Sequence, residues 1–260
     1  MKVFWVVAHP EPASLSFSLK QQAIDALTAA GHAVRVSELY AMKWKAVADA
    51  EDFPARDRGE RLYYMAASRA AYDAGTQAAD VAAEQDKLIW ADAVIFQFPF
   101  WWFSMPAILK GWFDRVFASG FAYGLPDPTA PGRTRRYGDG LLGGRRAMLV
   151  VTMSSQAPAM GPRGIGGNID DVLFPIQHGA LWYAGFDVLT PFLVHGSGRM
   201  TAELFQRTAH DLVQRVLTLS TTEPIPFRRQ NTGDYDDDLC LKPGLEGLAT
   251  GLAIHRRPKD

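Results

Sequence analysis

Residues Asp92–Ala118 read DAVIFQFPFWWFSMPAILKGWFDRVFA and divide into three parts. The stretch Asp92–Phe98 is a short apolar run, which is typical of a buried strand. The loop PFWWFSM follows it, and the residues from Pro106 onward predict a helix over Pro106–Ala118. Pro106 falls in the first turn of this helix, where its missing N–H costs no hydrogen bond. The stretch therefore predicts a strand that leads through an aromatic loop into a helix.

The rest of the chain continues this alternation of strands and helices. Each predicted strand is a short apolar run bounded by turn-forming residues. The predicted strands are Val3–Ala8, Ala33–Leu39, Asp92–Phe98, Arg146–Thr152 and Asp187–Val194. The predicted helices are Ser16–Ala30, Ala78–Ala91, Pro106–Ala118, Ile169–Ala184 and Thr201–Leu219. This order predicts an α/β fold, a doubly wound five-stranded parallel sheet with helices on both faces.

We expect one domain over residues 1–220 and a C-terminal extension, an arm, over residues 221–260. The arm is rich in proline and aspartate, and its only apolar run, GLEGLATGLAI, is weak. Two inner segments lack a clear periodicity. Tyr40–Gln77 is irregular and receives no assignment, whereas the Gly, Pro and Arg content of Gly124–Gly144 predicts a loop.

Composition excludes several classes of protein. The formal net charge of −1 gives the chain no overall attraction to nucleic acid or to an anionic membrane. The single cysteine, Cys240, excludes an intrachain disulfide and fits a reducing compartment. No apolar run reaches the ~18 residues of a membrane span, and Val3–Ala8 is too short for a secretory signal. We therefore expect a cytoplasmic protein with no nucleic-acid partner and no transmembrane segment.

Three loops are predicted to meet, because ligands of open parallel sheets bind beyond the carboxyl ends of the strands. The first loop, HPEPASLS, leads into a helix whose free N–H groups and dipole attract phosphate. Hydroxyls of Ser14 and Ser16 and the imidazole of His9 add hydrogen-bond donors. The alternative is that Ser14 or Ser16 only caps the helix.

The second loop places Trp101, Trp102 and Phe103 side by side after a buried strand. Consecutive aromatic side chains in a loop can wrap a flat ring, and backbone N–H groups there can stabilise an anion on its polar edge. The alternative is an aromatic cluster in the core or in a subunit interface. The third loop, Met153–Gly167, is rich in Ser and Gly, which permits close approach of a ligand; a flexible surface loop is its alternative.

Other motifs are absent or weak. Neither GxGxxG nor GxxxxGK[ST] occurs, so neither a dinucleotide fingerprint nor a P-loop applies. No GxSxG elbow occurs, and the six His and one Cys lack metal-ligand spacing, so we expect no metal. Arg133, Arg135 and Arg136 are interpreted as solvated charges rather than phosphate ligands.

Three stretches resemble the NAD(P)H:quinone oxidoreductase (DT-diaphorase) family, which has a flavodoxin-like fold. They are AEQDKLIWADAVIF, FQFPFWWFSMPAILKGWFDRVFASGFAYG and DVLFPIQHGALWYAGFDVLTP. AHPEPASLS resembles the family's first phosphate loop, and the likeness covers most of residues 1–220. The resemblance implies a homodimer with FAD at its interface. It also implies a ping-pong hydride transfer from NAD(P)H through FAD to a quinone or a related small electrophilic aromatic acceptor.

The resemblance assigns roles to particular residues. Those implied to hold the cofactor's phosphates and ribityl region are His9, Ser14, Leu15, Ser16 and Ser18. Those implied to contact the isoalloxazine ring are Pro99, Phe100, Trp102, Phe103, Thr152, Met153, Ser154 and Ser155. Tyr123 and Tyr183 would be aromatic residues of the acceptor pocket, Tyr183 reaching in from the partner subunit. Tyr235 and Leu239 would close that pocket, and Trp101 would face the partner or solvent.

The chain departs from the family in the third loop. Well-studied members carry a Tyr and a His there that are proposed to stabilise charge on the reduced flavin. The aligned residues here are Met160 and Gly166, which neither donate a proton nor carry a charge. Another group, water or a different acceptor must compensate. Tyr123 and His178 are the candidate catalytic substitutes. The alternative for His178 is a purely structural role near the interface.

Three other functions remain open from the sequence. One is an FMN-dependent azo- or nitro-reductase; the long arm favours FAD, because a larger cofactor needs more covering surface. A second is a flavin-binding regulatory subunit that senses redox state through a partner protein. The third is a flavodoxin-like domain without a cofactor.

Overall fold

A parallel sheet forms the centre of the computed structural model, which describes residues 1–258. The strands are β1 (Lys2–Val7), β2 (Ala33–Glu38), β3 (Ala93–Pro99), β4 (Arg146–Thr152), β5 (Asp187–Val188) and β6 (Phe192–Val194). Their order in the sheet is β2-β1-β3-β4-β5, and the short β6 also pairs with β4. The predicted α/β class and five-stranded parallel sheet are confirmed, with the predicted fifth strand divided into β5 and β6.

The division of the fifth strand has a local cause. Leu189–Pro191 separates the two pieces, and Pro191 has no N–H to donate to a ladder. The helices lie on both faces of the sheet. They are α1 (Leu15–Ala29), α2 (Tyr64–Ala74), α3 (Ala79–Trp90), α4 (Ala107–Val116), α5 (Ile169–Val172), α6 (Phe174–Ile176), a π-helix (Gln177–Trp182) and α7 (Ala202–Leu217).

Two hydrophobic cores cover the sheet, one on each face. On one face, Phe4 and Phe96 pack with Trp112 of α4. On the other, Trp5 packs with apolar residues of α1 and α7, among them Leu19 and Leu212. Adjacent residues of β1 thus enter opposite cores, as strand alternation requires. This arrangement explains why the central strands are continuous apolar runs.

The predicted helix Ile169–Ala184 is not continuous. It consists of α5, α6 and the π-helix, and Pro175 stands near the start of α6. Proline lacks an N–H and clashes with the preceding turn, so it interrupts helical hydrogen bonding. A π-helix is rare and is frequently found at functional sites. This segment therefore has an irregular geometry that periodicity alone did not predict.

The unassigned segment Tyr40–Gln77 contains α2 and is tied to α4 by a buried ion cluster. The Arg115 guanidinium donates to the Asp52 carboxylate at 2.8 Å and makes two bonds, at 2.7 and 3.0 Å, to that of Asp80. The side chains of Arg115 and Asp52 are both buried. Gly111 permits the approach, because a Cβ there would lie 1.9 Å from the Ala46 carbonyl oxygen.

The C-terminal arm, which we define as residues 221–258, runs over the outside of the domain. Its regular structure is one short 3-10 turn, Gly251–His255. Phe227 is buried beside the π-helix, with its ring 5.0 Å from that of His178. The Ile225 N–H donates to the Val188 carbonyl at 2.7 Å. These contacts attach the arm to the edge of the sheet and to the π-helix.

The loop 124–144 is likewise held in place. The N–H groups of Tyr137 and Gly138 donate to the carbonyls of Tyr183 and Trp182, at 3.1 and 2.9 Å. Gly138 has φ +90°, and a Cβ there would lie 2.5 Å from the Trp182 ring. Within residues 1–258, no helix has the length and apolarity needed to cross a bilayer.

Candidate functional site

A pocket lies where the carboxyl ends of β1, β3, β4 and β6 meet the first turn of α1. This is the edge of a doubly wound sheet at which ligands bind. The loops predicted to converge do so here. The residues that line the pocket are His9, Leu15, Ser16, Pro99, Trp101, Thr152, Met153, Ser154, Ser197 and Gly198.

The first loop presents free donors at the start of α1. The Phe17 N–H donates to the Ser14 hydroxyl, so Ser14 caps the helix, which was the alternative prediction for it. The N–H groups of Leu15 and Ser16 meet no acceptor among residues 1–258. The positive end of a 15-residue helix adds to their attraction for an anion. The N-terminus of α1 thus fits a phosphate group.

The hydroxyls of the first loop are not all available to a ligand. Ser16 is buried, and its Oγ lies 3.1 Å from Oγ1 of Thr152. The Ser18 hydroxyl donates to the Ser14 carbonyl at 3.2 Å on the outside of the helix, away from the pocket lining. Of the five residues proposed from the family, His9, Leu15 and Ser16 line the pocket, whereas Ser14 and Ser18 are not part of the lining.

The aromatic loop forms a tight turn. Trp101 and Ser104 exchange two backbone hydrogen bonds of 3.0 Å, and Trp102 and Phe103 at the corner have φ of +50° and +61°. This left-handed conformation costs a non-glycine residue roughly 1–2 kcal/mol, and such strain is concentrated at functional sites. The turn projects Trp102, 96% exposed, and Phe103, 55% exposed, away from the core. Large aromatic surfaces are thereby available to a ligand or partner.

The three consecutive aromatic residues have different positions. Trp101, expected to face the partner or solvent, lines the pocket. Trp102 and Phe103 stand outside the lining, and the Phe103 ring lies edge-on to Phe100 at 5.7 Å. The Phe100 N–H donates to the Thr152 carbonyl at 2.8 Å, which fixes the base of the loop to β4.

The third loop contributes Thr152, Met153 and Ser154 to the pocket. Ser155 is not part of the pocket lining. Its carbonyl accepts a hydrogen bond from the Gly196 N–H and so holds the loop that follows β6. Met153 is buried and donates its N–H to Val194. The third loop is therefore packed against the last strand of the sheet.

Met160 and Gly166 contact each other within the third loop. Met160 is buried, and a Cβ on Gly166 would lie 2.5 Å from the Met160 sulfur and 3.0 Å from the Ala159 carbonyl oxygen. A histidine at position 166 would displace both neighbours. The departure from the family's Tyr and His is thus accommodated by close packing of the loop.

Sequence reasoning missed two pocket residues, Ser197 and Gly198. They follow β6 in the stretch HGSGRM, which has the small-residue composition that marked the third loop. Gly196 adopts φ +65°, which turns the chain toward the pocket. The composition of this stretch was the signal that could have identified a fourth loop.

Tyr123 and Tyr183 line one apolar groove together with Met105, Phe117 and Ile176. Ser104 and Met105 belong to its wall, so the aromatic loop borders both the pocket and the groove. Burial raises the pKa of the Tyr123 hydroxyl, and the nearby Tyr183 raises it further. The Tyr123 hydroxyl can therefore act as a neutral hydrogen-bond donor in an otherwise apolar groove.

His178 lies in a separate cavity beneath the arm. Its ring stacks on Phe174 at 4.4 Å and on Tyr137 at 5.0 Å. Burial, with smaller contributions from His255 and Arg256, lowers the pKa of His178 to about 4. Tyr235 and Leu239 line this same cavity rather than the groove of Tyr123 and Tyr183. Within one chain, the structure does not bring His178 to the pocket at the strand ends.

The chain matches known proteins over most of its length. The profile of a flavodoxin-like fold family matches residues 1–216. A ribosyldihydronicotinamide dehydrogenase-like protein, traD, from Penicillium crustosum is 47% identical over 259 residues, covering 99% of this chain and 96% of that protein. NAD(P)H dehydrogenase [quinone] 1 of Cavia porcellus is 39% identical over 244 residues, covering 93% and 86%.

Solved structures agree with the fold. A Klebsiella pneumoniae protein with the provisional designation of quinone reductase is 52% identical, with a TM-score of 0.93 over 98% of this chain and 99% of that one. General stress protein 14 of Treponema denticola, solved in complex with FMN, is 25% identical. It superposes with a TM-score of 0.55 over 85% of this chain and 100% of that one. The flavodoxin-like fold expected from the sequence is confirmed.

Proposed function

Because the chain belongs to the NAD(P)H:quinone oxidoreductase family, we propose that it passes two electrons from a reduced nicotinamide, through a bound flavin, to a quinone or related electrophilic aromatic. The observation that carries the proposal is the pocket at the strand ends. Its anion-binding helix terminus lies beside a turn that exposes large aromatic side chains. A phosphate and a flat ring are the two chemical parts of a flavin that such a site suits.

The residues present fit a flavin. The free N–H groups of Leu15 and Ser16 would bind a phosphate. Pro99, Trp101 and Thr152 would border the ring, and the exposed Trp102 and Phe103 would cover it. A bound flavin would supply the hydride-accepting and hydride-donating chemistry. We propose FAD, with FMN as the alternative supported by the complex of the Treponema denticola relative.

The groove of Tyr123 and Tyr183 would hold the acceptor. Its apolar walls would exclude water, and the two hydroxyls would donate to oxygens of a quinone. Donor and acceptor would use the same place in turn, which gives a ping-pong cycle. The donor is NADH, NADPH or, as the names of several relatives suggest, ribosyldihydronicotinamide.

A homodimer is part of this proposal. Trp102 and Phe103 expose apolar surface beside the pocket, and Ile165 of the third loop is fully exposed. Exposed apolar patches mark sites of protein–protein contact, and we propose that a second copy of the chain covers this one. The second copy would bring its own Tyr183 toward the flavin ring. In each copy, the domain of residues 1–220 and its arm would together form the dimerising unit. Sedimentation velocity of the flavin-loaded protein tests this assembly; a monomer at micromolar concentration would contradict it.

The function is tested by anaerobic stopped-flow mixing. One sample of the purified protein is treated with acid, and the released flavin is identified by chromatography as FAD or FMN. A second, untreated sample is mixed with each of the three donors, and the reduced protein is then mixed with quinones, azo dyes and nitroaromatics. We expect at least one donor to bleach the absorbance of the bound flavin and a quinone to restore it by reoxidising the flavin. A bound flavin that no donor reduces would refute the enzyme and favour a regulatory subunit.

The role of the groove is tested separately. Tyr183→Ala should raise the quinone KM about tenfold or more, the discrimination typical of a lost pocket contact. Tyr63→Ala is the matched control, because Tyr63 is an exposed tyrosine outside the groove. An equal KM in both variants would remove Tyr183 from the acceptor site while leaving the flavin proposal intact.

A further inference from the structure

A second cavity, of about 310 Å³, lies between the loop 124–144, the helical segment around His178 and the C-terminal arm. None of the residues that line it belongs to the pocket at the strand ends or to the groove of Tyr123 and Tyr183. Its volume is at the lower end of the range for ligand sites, about 300–1,000 Å³. A ligand of one ring is therefore the appropriate size.

The walls of this cavity are flat and aromatic. Phe174, His178 and Tyr137 stack in series, with centroids 4.4 and 5.0 Å apart. On the arm, Tyr235 stacks on His255 at 6.0 Å and is hydrogen-bonded to its Nδ1 at 2.9 Å. Planar walls of this kind favour a planar ligand. Tyr137 holds φ +50°, a conformation rarely adopted by bulky residues outside functional positions.

The charge of the lining is positive. Arg136 donates only its Nε, to the Gln230 side chain at 2.7 Å, and pairs with no carboxylate among residues 1–258. Arg228, the other cation, is matched by Asp234 at 2.8 Å. No Asp or Glu stands among the residues that line the cavity within that range. The two terminal nitrogens of Arg136 are therefore available to an anion, and a guanidinium binds a carboxylate through such a pair of donors.

A buried polar atom also lacks a partner there. His178 Nε2 is inaccessible to solvent and has no hydrogen-bond partner in the part of the chain that the structure describes. Buried polar atoms of native proteins are almost always paired. Because solvent does not reach Nε2, a ligand in the cavity would contact the flat face of the His178 ring rather than this nitrogen.

We propose that this cavity binds a planar one-ring aromatic carboxylate, with the carboxylate on Arg136 and the ring among Tyr137, Phe174 and Tyr235. Within one chain its lining shares no residue with the proposed flavin pocket or with the groove of Tyr123 and Tyr183, and the proposal does not depend on them. It does share a wall with the groove, because the Tyr137 ring stands edge-on to Tyr183 at 5.1 Å. A ligand that fixes Tyr137 would therefore also fix one side of the acceptor groove.

Isothermal titration calorimetry of the full flavin-loaded chain tests the site, with 4-hydroxybenzoate as the probe. The neutral 4-hydroxybenzamide is the matched compound. The acid should bind about tenfold or more tightly than the amide, since a charge-assisted bond to arginine is lost. Equal affinities, or no heat with the acid at millimolar concentration, would overturn the proposal without affecting quinone reduction.

Three variants locate the probe. Arg136→Gln should weaken 4-hydroxybenzoate binding about tenfold or more. Arg135→Gln, which removes the same charge from the same loop outside the cavity, should bind as the unaltered protein does. Tyr123→Ala tests binding in the groove instead. Loss of affinity in Tyr123→Ala with no loss in Arg136→Gln would place the probe in the groove and refute the proposal. The comparison of acid with amide needs no variant, so it decides the matter even if Arg136→Gln does not fold.

Discussion

The hydroxyl oxygens of Ser16 and Thr152 lie 3.1 Å apart, although 136 residues separate them along the chain. The contact joins the first turn of α1 to the end of β4 at the base of the candidate flavin pocket. The Ser16 carbonyl also accepts from the Gln97 side chain at 2.8 Å, which adds β3 to the same junction. The phosphate-binding end of α1 is thus positioned by the strands that carry the ring-binding loops.

A double-mutant cycle should detect this contact. Ser16→Ala leaves a buried Thr152 hydroxyl without its partner, which costs about 1–3 kcal/mol. The double variant Ser16→Ala/Thr152→Val removes both groups, so its loss of stability should be smaller than the sum of the single losses. The free energies of unfolding are measured in urea on flavin-free protein, which excludes ligand stabilisation. Additive losses would mean that the two hydroxyls do not interact.

Trp102 should matter for flavin binding and hardly at all for stability. Its side chain is almost fully exposed, so Trp102→Ala should change the unfolding free energy of flavin-free protein by no more than about 0.5 kcal/mol. Flavin retention should fall, because the ring would lose its cover. Trp102→Phe keeps an aromatic surface and should recover part of the retention. Flavin occupancy measured by absorbance after gel filtration gives the answer, and full occupancy of the alanine variant would exclude a stacking role.

Arg115 should be among the most sensitive charged positions of the fold. Arg115→Met leaves the buried Asp52 carboxylate with only a longer, 3.5 Å contact to the Lys45 ammonium as a counter-charge. Breaking a buried ion pair typically costs about 3–5 kcal/mol. The control is Lys110→Met on the same helix, which breaks an exposed pair with Asp114 worth about 0–1 kcal/mol. Chemical denaturation compares the two, and similar losses would contradict the anchoring role of Arg115.

His178 should make the fold sensitive to acid. Its pKa is about 4 in the folded protein because of burial, against 6.5 for an ordinary histidine. As pH falls below 6.5, the unfolded chain binds a proton that the folded chain does not bind until about pH 4. Stability is therefore full above pH 6.5 and decreases toward pH 4. The neighbouring His255, whose pKa burial also lowers, acts in the same direction.

His178→Phe keeps a flat ring and should reduce this loss of stability. His210→Gln, a substitution of an exposed histidine on α7, serves as the control. Urea midpoints are measured at several pH values between 7 and 4, the interval that contains both pKa values of His178. Parallel decreases in the unaltered protein and in His178→Phe would show that this histidine does not govern the acid sensitivity.

The central strands were predictable because burial on both faces makes them continuous apolar runs. β4 has the predicted bounds, and β1 and β3 differ from theirs by one residue at each end. Helix α2 was not predicted, since few of its residues are buried and its segment is fixed by Arg115, which is distant along the chain. The π-helix escaped prediction because its hydrogen-bond pattern leaves no simple period in the sequence.

The candidate site was predictable as a set of loops but not as a set of contacts. Parallel topology requires the loops after β1, β3 and β4 to meet, and they line one pocket. Which of three adjacent aromatic residues enters that pocket depends on the left-handed turn at Trp102 and Phe103, which composition does not reveal. The separation of His178 from Tyr123 likewise follows from the irregular helix and the arm, whose courses depend on tertiary packing.

The interrupted fifth strand also affects how the molecules behave when crowded together. A long, straight sheet edge offers a row of open N–H and C=O groups to which a strand from a second molecule can add, and aggregation begins in this way. Here β5 and β6 have only two and three residues. The carbonyl of Val188, the last residue of β5, already accepts a hydrogen bond from the Ile225 N–H of the arm. That edge is therefore protected against strand addition, and association through it is left to side chains.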